Sequence, residues 1–157
     1  MSLKVKVRRK GEQPKNDPIT MDMPRTIQQQ RAKFSYEKVK EVVDLNNPDA
    51  AKRFKAYANS LPAMVQMNGL GQTLAFAKSK FDSKKPEGIA WQHLYDLISA
   101  WHQRDTGCYP KTDVLEGIMS QDMHVYRQAQ AETQALMVWV KQFARAEIRV
   151  DEKEGGE

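Results

Sequence analysis

The chain has 157 residues and a formal net charge of +5, and this length suits one domain with a sizeable hydrophobic core. Its single cysteine, Cys108, excludes an internal disulfide and a zinc site built from cysteines, because such a site needs several thiolates. The sequence contains no apolar run long enough for a signal peptide or a membrane span, so we expect a soluble, cytoplasmic protein.

The charge is divided unevenly along the chain. Residues 1–85 contain 18 Lys and Arg against 8 Asp and Glu, a net charge of +10. Residues 86–157 contain 7 against 12, a net charge of −5. This division favours a polyanion as the partner of one face, although a solvated basic surface without a ligand would have the same composition.

The two ends of the chain differ in composition from the part between them. Residues 1–24 combine a basic cluster with Gly11 and three prolines that break any helix, so we expect a flexible basic arm. Residues 151–157 are predicted to be an acidic disordered tail, and residues 25–150 an all-helical domain. The basic cluster consists of Lys4, Lys6, Arg8, Arg9 and Lys10.

The first two helices are predicted from apolar spacing and from the signal between them. A stripe of apolar residues at helical spacing predicts a helix over residues 25–44. Asn47 followed by Pro48 is typical of a helix start, since asparagine caps the backbone and proline suits the first turn. The second helix is predicted over residues 48–59.

A glycine corner follows. Pro62, with Ser60 as its cap, predicts a new short helix. Gly69 stands where a left-handed C-terminal cap is needed, and Gly71 is a second permissive position at which the chain can restart at a new angle. The next helix is predicted over residues 72–81. Two apolar helices that meet at this corner would form the centre of an all-helical domain.

The remaining helices are predicted over residues 87–102, 113–119 and 122–150. Trp91 and Tyr95 could stack on bases, but their helical spacing with neighbouring apolar residues favours a place in the core. The last helix has a heptad-like apolar seam and should pack across several others. The predicted fold is a compact all-α bundle of six or seven helices with a long C-terminal helix.

No constellation of catalytic or metal-ligating residues is recognisable. His93, His102 and His124 have no metal-binding spacing, and there is no glycine loop for phosphate or Gly-x-Ser-x-Gly elbow. Carboxylates at helix starts are better explained as caps. Glu132 lies in the middle of the last helix, where we expect a buried partner such as an arginine. We therefore expect no enzyme, no cofactor and no metal site.

Three segments resemble one protein family. Residues 68–76, NGLGQTLAF, follow a proline-started helix. Residues 126–144 contain YRQA, ETQAL and WVKQFA in that order, and QRA at residues 30–32 is a weaker match in the first helix. In these segments the chain resembles the small subunit of the type III-B CRISPR effector, the Cmr complex, from about residue 25 to residue 149.

The resemblance implies a non-catalytic small subunit that stacks in several copies along an RNA-guided ribonucleoprotein. Small subunits of that family contact one another, the backbone subunits and the large subunit, and they help to form a basic channel for target RNA. The guide RNA lies mainly on the backbone subunits, which also cleave the target. The cations expected to face RNA lie off the apolar stripes and are Arg31, Lys52, Lys55, Lys78, Lys80, Lys141 and Arg145.

Two other functions are compatible with the sequence. A basic helical regulator could bind duplex DNA, although no polar recognition helix follows the glycine corner. A purely structural adaptor could carry its basic face for solvation alone. A preference for duplex DNA over single strands would support the first alternative, and a loss of filament length with no effect on RNA binding would support the second.

Overall fold

The computed structural model of the protein describes residues 24–150, so the predicted acidic tail and nearly all of the predicted basic arm lie outside the described residues. This part of the chain contains six helices and no strand, which confirms the predicted all-α bundle with a long C-terminal helix. The helices are α1 (Ile27–Asp44), α2 (Pro48–Asn68), α3 (Leu70–Ser79), α4 (Pro86–Gln103), α5 (Val114–Ser120) and α6 (Met123–Glu147).

The long helix α6 lies across α1 and α2, and α2 packs on its other side against α4. The short helices α3 and α5 pack against α4 and against each other. Trp91 is 4% exposed and Trp101 is 1% exposed, so the tryptophans of α4 belong to the core as predicted. The centre of the core is formed by fully buried side chains of four helices, among them Phe54, Leu61, Leu74, Leu94, Ile98 and Leu136.

The prediction that a helix ends near Asn59 and a new one begins at Pro62 is wrong, because α2 continues through both positions. Proline inside a helix removes a hydrogen bond and costs about 3 kcal/mol. Leu61 and Val65 are both fully buried, and burial of two such side chains contributes about 3–6 kcal/mol, which offsets that cost. The carbonyl of Pro62 also accepts a hydrogen bond from Gln134 Nε2 at 2.9 Å.

The corner between α2 and α3 consists of Gly69 alone. Its φ of 83° confirms the positive φ predicted there, but its ψ of 160° belongs to an extended region that only glycine adopts readily, not to the left-handed helical cap. Gly71 lies inside α3 and not in the turn, contrary to the prediction. Two side chains of α6 cap the new helix: Gln130 Oε1 accepts from Leu70 N at 3.2 Å, and Tyr126 Oη accepts from Gly71 N at 3.2 Å.

The outer helix ends also differ slightly from the predicted bounds. Thr26 and Gln29 form a reciprocal capping box, so α1 begins at Ile27 and not at residue 25. At the other end α6 stops at Glu147, three residues before the predicted end. Ile148 follows as its cap and is buried, so the chain turns back towards the core there.

Replacement of Gly69 by alanine is expected to lower the free energy of unfolding by about 2 kcal/mol. Alanine would be strained at this φ, and its Cβ would lie 2.9 Å from Tyr126 Oη. Gly71→Ala is the matched control, because its Cβ would meet its nearest neighbour, Ile118, at an ordinary 3.5 Å. Urea unfolding followed by circular dichroism measures both; equal losses in the two variants would contradict this account of the corner.

Candidate nucleic-acid interface

Four of the seven cations predicted to face RNA meet in one groove. The groove lies between α2 and α6 and has a volume of about 350 Å³. Lys52 and Lys55 approach it from α2, while Lys141 and Arg145 approach it from α6. We call this the cationic groove, and its complete lining is Lys52, Lys55, Ala56, Asn59, Lys141, Arg145 and Val150.

The helical register explains why these side chains converge. Residues 52, 55 and 59 on α2 are separated by three and four positions, as are neighbours on one face of a helix, and residues 141 and 145 on α6 are separated by four. Lys55 Nζ donates to the carbonyl oxygen of Ile148 at 3.1 Å, which ties the end of α6 to α2. Arg145 Nη2 lies 3.4 Å from Asn59 Oδ1 across the groove.

The cations of the groove take part in no ion pair within the described part of the chain. The ion pairs among residues 24–150 join Arg31 to Glu132, Lys33 to Glu37, and Lys38 to Glu41, and none of them includes a cation of the groove. Lysine and arginine side chains on two facing helices, without carboxylates between them, favour a bound anion such as a phosphodiester.

Lys78 and Lys80 do not belong to this groove. Both are exposed near the end of α3, and Lys80 Nζ lies 5.3 Å from the ring centroid of Phe76. The structure therefore divides the predicted cations into the groove, a separate pair on α3, and Arg31.

Arg31 is engaged inside the bundle and is not part of the exposed basic surface. Its Nε and Nη2 donate to the two carboxylate oxygens of Glu132 at 2.9 and 2.7 Å, and its side chain is only 11% exposed. Trp101 Nε1 donates to the same carboxylate at 3.0 Å. The expectation of an arginine partner for Glu132 is thereby confirmed, and we leave Arg31 out of the proposed RNA contacts.

The surroundings of Glu132 shift several pKa values. Hydrogen bonds from Arg31 are the largest cause that lowers the pKa of the Glu132 carboxyl. Burial lowers the pKa of Arg104, whose guanidinium lies 3.3 Å from the ring centroid of Trp101. The lowered pKa of Glu132 favours the charged carboxylate that pairs with Arg31.

His102 is a buried neutral group at the contact between α4 and α6. Burial lowers its pKa to about 4. The Thr133 hydroxyl donates to the carbonyl of Ala129 at 2.8 Å, so it accepts from His102 Nε2–H, also at 2.8 Å. Within the described residues, His102 Nδ1 has no hydrogen-bond partner, which fits a deprotonated nitrogen. This histidine has a structural role.

Sequence reasoning missed two residues beside the cations. Asn59 lines the groove, and Tyr57 lines an adjoining pocket. The spacing of residues 52 and 59 by seven positions is a signal for a shared helix face, but it does not indicate which other helix that face meets.

Comparison with known families gives the context of this groove. The family model of the CRISPR-associated proteins Cas_Cmr5 matches residues 27–147, about three quarters of the chain. The chain belongs to the Cas_Cmr5 family. This match confirms the resemblance to the small subunit of the type III-B Cmr complex, and it covers α1 to α6, including both helices of the cationic groove.

Two findings about this Cas_Cmr5 member apply to residues 24–150. No cluster of three or more His, Cys, Asp or Glu side chains is placed to hold a metal ion. No helix there is both long and apolar enough to cross a membrane.

Removal of the Arg31 side chain is expected to destabilise the fold. Arg31→Met should lower the free energy of unfolding by about 2–3 kcal/mol, because it leaves Glu132 charged and mostly buried. Lys33→Met is the control, since its pair with Glu37 spans 3.9 Å and is 58% exposed, so the loss should stay below about 0.5 kcal/mol. Urea unfolding measures both losses. A loss in Arg31→Met as small as that in Lys33→Met would contradict the structural role of Arg31.

The burial of His102 predicts a pH dependence of stability. Below pH 6.5 the unfolded chain binds a proton at this residue, whereas the folded chain does so only near pH 4. Stability should therefore fall by about 3 kcal/mol as the pH drops from about 6.5 to about 4. The pKa of Glu132 is lowered, so its contribution is lost only at more acidic pH, below about 4.5.

Urea unfolding of the native chain and of His102→Gln, measured at several pH values, tests this dependence. Glutamine can still hydrogen-bond Thr133 but does not titrate. Between about pH 6.5 and pH 4.5 the free energy of unfolding of the variant should therefore change much less than that of the native chain. His124→Gln, an exposed position on α6, is the control for the substitution itself. A native chain that is equally stable at pH 7 and pH 4.5 would contradict the assignment.

Proposed function

We propose that this chain is a non-catalytic small subunit of a type III-B CRISPR effector in the cytoplasm. Several copies stack along the backbone subunits, contact one another and the large subunit, and help to line a basic channel for target RNA. The observation that carries the proposal is the convergence of four lysine and arginine side chains on one groove in a member of the Cas_Cmr5 family.

The chemistry of the groove suits the backbone of a nucleic acid more than its sequence. Three ammonium groups and one guanidinium attract phosphates of any strand, and such contacts position a strand without reading its bases. A subunit that lines a channel for target RNA needs this property, because base pairing with the guide already provides the sequence specificity.

A non-catalytic role is supported by what the polar groups in unusual surroundings already do. Glu132 binds Arg31 and Trp101, and His102 binds Thr133. Asp113 caps α5 and accepts a hydrogen bond from Tyr95 Oη at 2.8 Å. Each of these groups stabilises a contact between helices.

Lys78 and Lys80 remain proposed as a second, separate contact with RNA on α3. Both side chains are exposed, and the ammonium of Lys80 lies over the Phe76 ring, which is itself 42% exposed. We assign this pair a smaller role than the groove, since it presents two charges on one helix and not four on two.

The salt dependence of RNA binding tests the groove. Lys52, Lys141 and Arg145 are replaced together by alanine, and Lys55 is kept because it also caps α6. The slope of log Kd against log salt for single-stranded RNA should become shallower by about 2, since each neutralised phosphate contributes about 0.7. Fluorescence anisotropy across a range of salt concentrations measures the slope.

The control variant replaces three exposed cations that do not line the groove, Arg25, Lys33 and Arg127, and changes the net charge equally. Its slope should stay close to that of the native chain. Equal slopes in all three proteins would remove the groove from the RNA site. Tighter binding of duplex DNA than of single-stranded RNA would favour the regulator alternative.

A further inference from the structure

A second pocket adjoins the cationic groove. It is lined by Asp49, Lys52, Arg53, Ala56, Tyr57 and Pro86, and we call it the Tyr57 pocket. Lys52 and Ala56 line both the pocket and the groove, so the two sites are continuous along α2. The pocket has a volume of about 480 Å³, which is in the range of pockets that bind small ring systems.

The ring of Tyr57 is held in a fixed orientation. It stacks on the ring of Trp91, with centroids 4.2 Å apart and 10° between the planes. Trp91 is 4% exposed, and Phe76 packs edge-on against it with centroids 5.4 Å apart. Because Trp91 covers one face of the Tyr57 ring, only the opposite face or the edge of the ring can line the pocket. A flat group that enters the pocket would extend an existing stack.

The side chains of the pocket offer partners both to a nucleobase and to the phosphates beside it. Asp49 contributes a carboxylate, which repels a phosphate but accepts hydrogen bonds from the N–H groups of a base. Aromatic rings bind bases of any sequence by stacking. Lys52 and Arg53 also line the pocket and attract the phosphates on either side of a base placed there.

We propose that the Tyr57 pocket receives an unpaired base of the same RNA strand whose phosphates lie in the cationic groove. This inference rests on the proposed function and adds base stacking to contact with the backbone. It also gives the site a preference for single strands, because the bases of a duplex are already stacked on one another and face away from an external ring.

The test compares two fluorescently labelled RNA strands of about twelve nucleotides. One is oligouridine, whose bases stack little on each other, and the other has the same sugar–phosphate backbone without bases. The native chain should bind oligouridine about 5- to 100-fold more tightly than the abasic strand, as expected for stacking of one base. In Tyr57→Leu this difference should vanish, while binding of the abasic strand should not change.

Tyr57→Phe keeps the ring and should retain the difference between the two strands. Tyr36→Leu is the matched control, since Tyr36 is 41% exposed and packs edge-on against Phe143 on another part of the surface. Circular dichroism establishes that each variant is folded. If Tyr57→Leu does not fold, the comparison of the two strands on the native chain and on Tyr57→Phe still tests the pocket.

The outcomes separate this inference from the proposed function. Equal affinity of the native chain for both strands would overturn the base pocket, and the groove would stand if its triple alanine variant weakened both. A difference that persists in Tyr57→Leu would also overturn the pocket. If the triple variant bound both strands like the native chain, the groove and the pocket would both be overturned.

Discussion

The carboxylate of Glu132 is the point at which three helices of this protein meet. It lies on α6 and accepts hydrogen bonds from Arg31 on α1 and from Trp101 on α4. A partly buried charge requires such partners, because an unpaired one would cost several kcal/mol. The neighbouring polar residues of α6 act in the same way: Thr133 binds His102, and Gln134 binds the carbonyl of Pro62. One short stretch of α6 therefore fixes the positions of α1, α2 and α4.

The same helix also forms hydrogen bonds at the two irregularities of the bundle. Proline at residue 62 and glycine at residue 69 both weaken the backbone hydrogen bonds of α2 or α3. Gln134, Gln130 and Tyr126 provide partners at or next to these positions. The register of α6 against α2 is thus determined by specific polar contacts and not by apolar packing alone. That register places Lys141 and Arg145 opposite Lys52 and Lys55.

The apolar spacing of the sequence correctly predicted the features that are determined within a single helix. The buried faces, the Asn47 cap and the core position of Trp91 followed from spacing and residue type. Two failures share a cause. Pro62 was predicted to begin a helix because proline prefers the first turn. The burial of Leu61 and Val65 outweighs this preference, so the helix continues through residue 62. The sequence of α1 alone indicates that Arg31 is a surface cation. In the structure it donates hydrogen bonds to Glu132, which lies 101 positions later in the chain. Such contacts depend on which helices are neighbours, and the sequence of a single helix does not contain that information.

The cationic groove depends on the same information. Each helix alone has an ordinary basic face, for which solvation or the helix dipole is a sufficient explanation. The two faces form one groove because α6 packs against α2, and the groove cations have no carboxylate partner within residues 24–150. The carboxylate that pairs with Arg31 belongs to the stretch of α6 that fixes the opposing helices, so a cation at residue 31 stabilises the bundle and cations at residues 52 and 141 remain available to a ligand. The polar contacts that hold the fold together therefore also determine which of these cations stay at the surface.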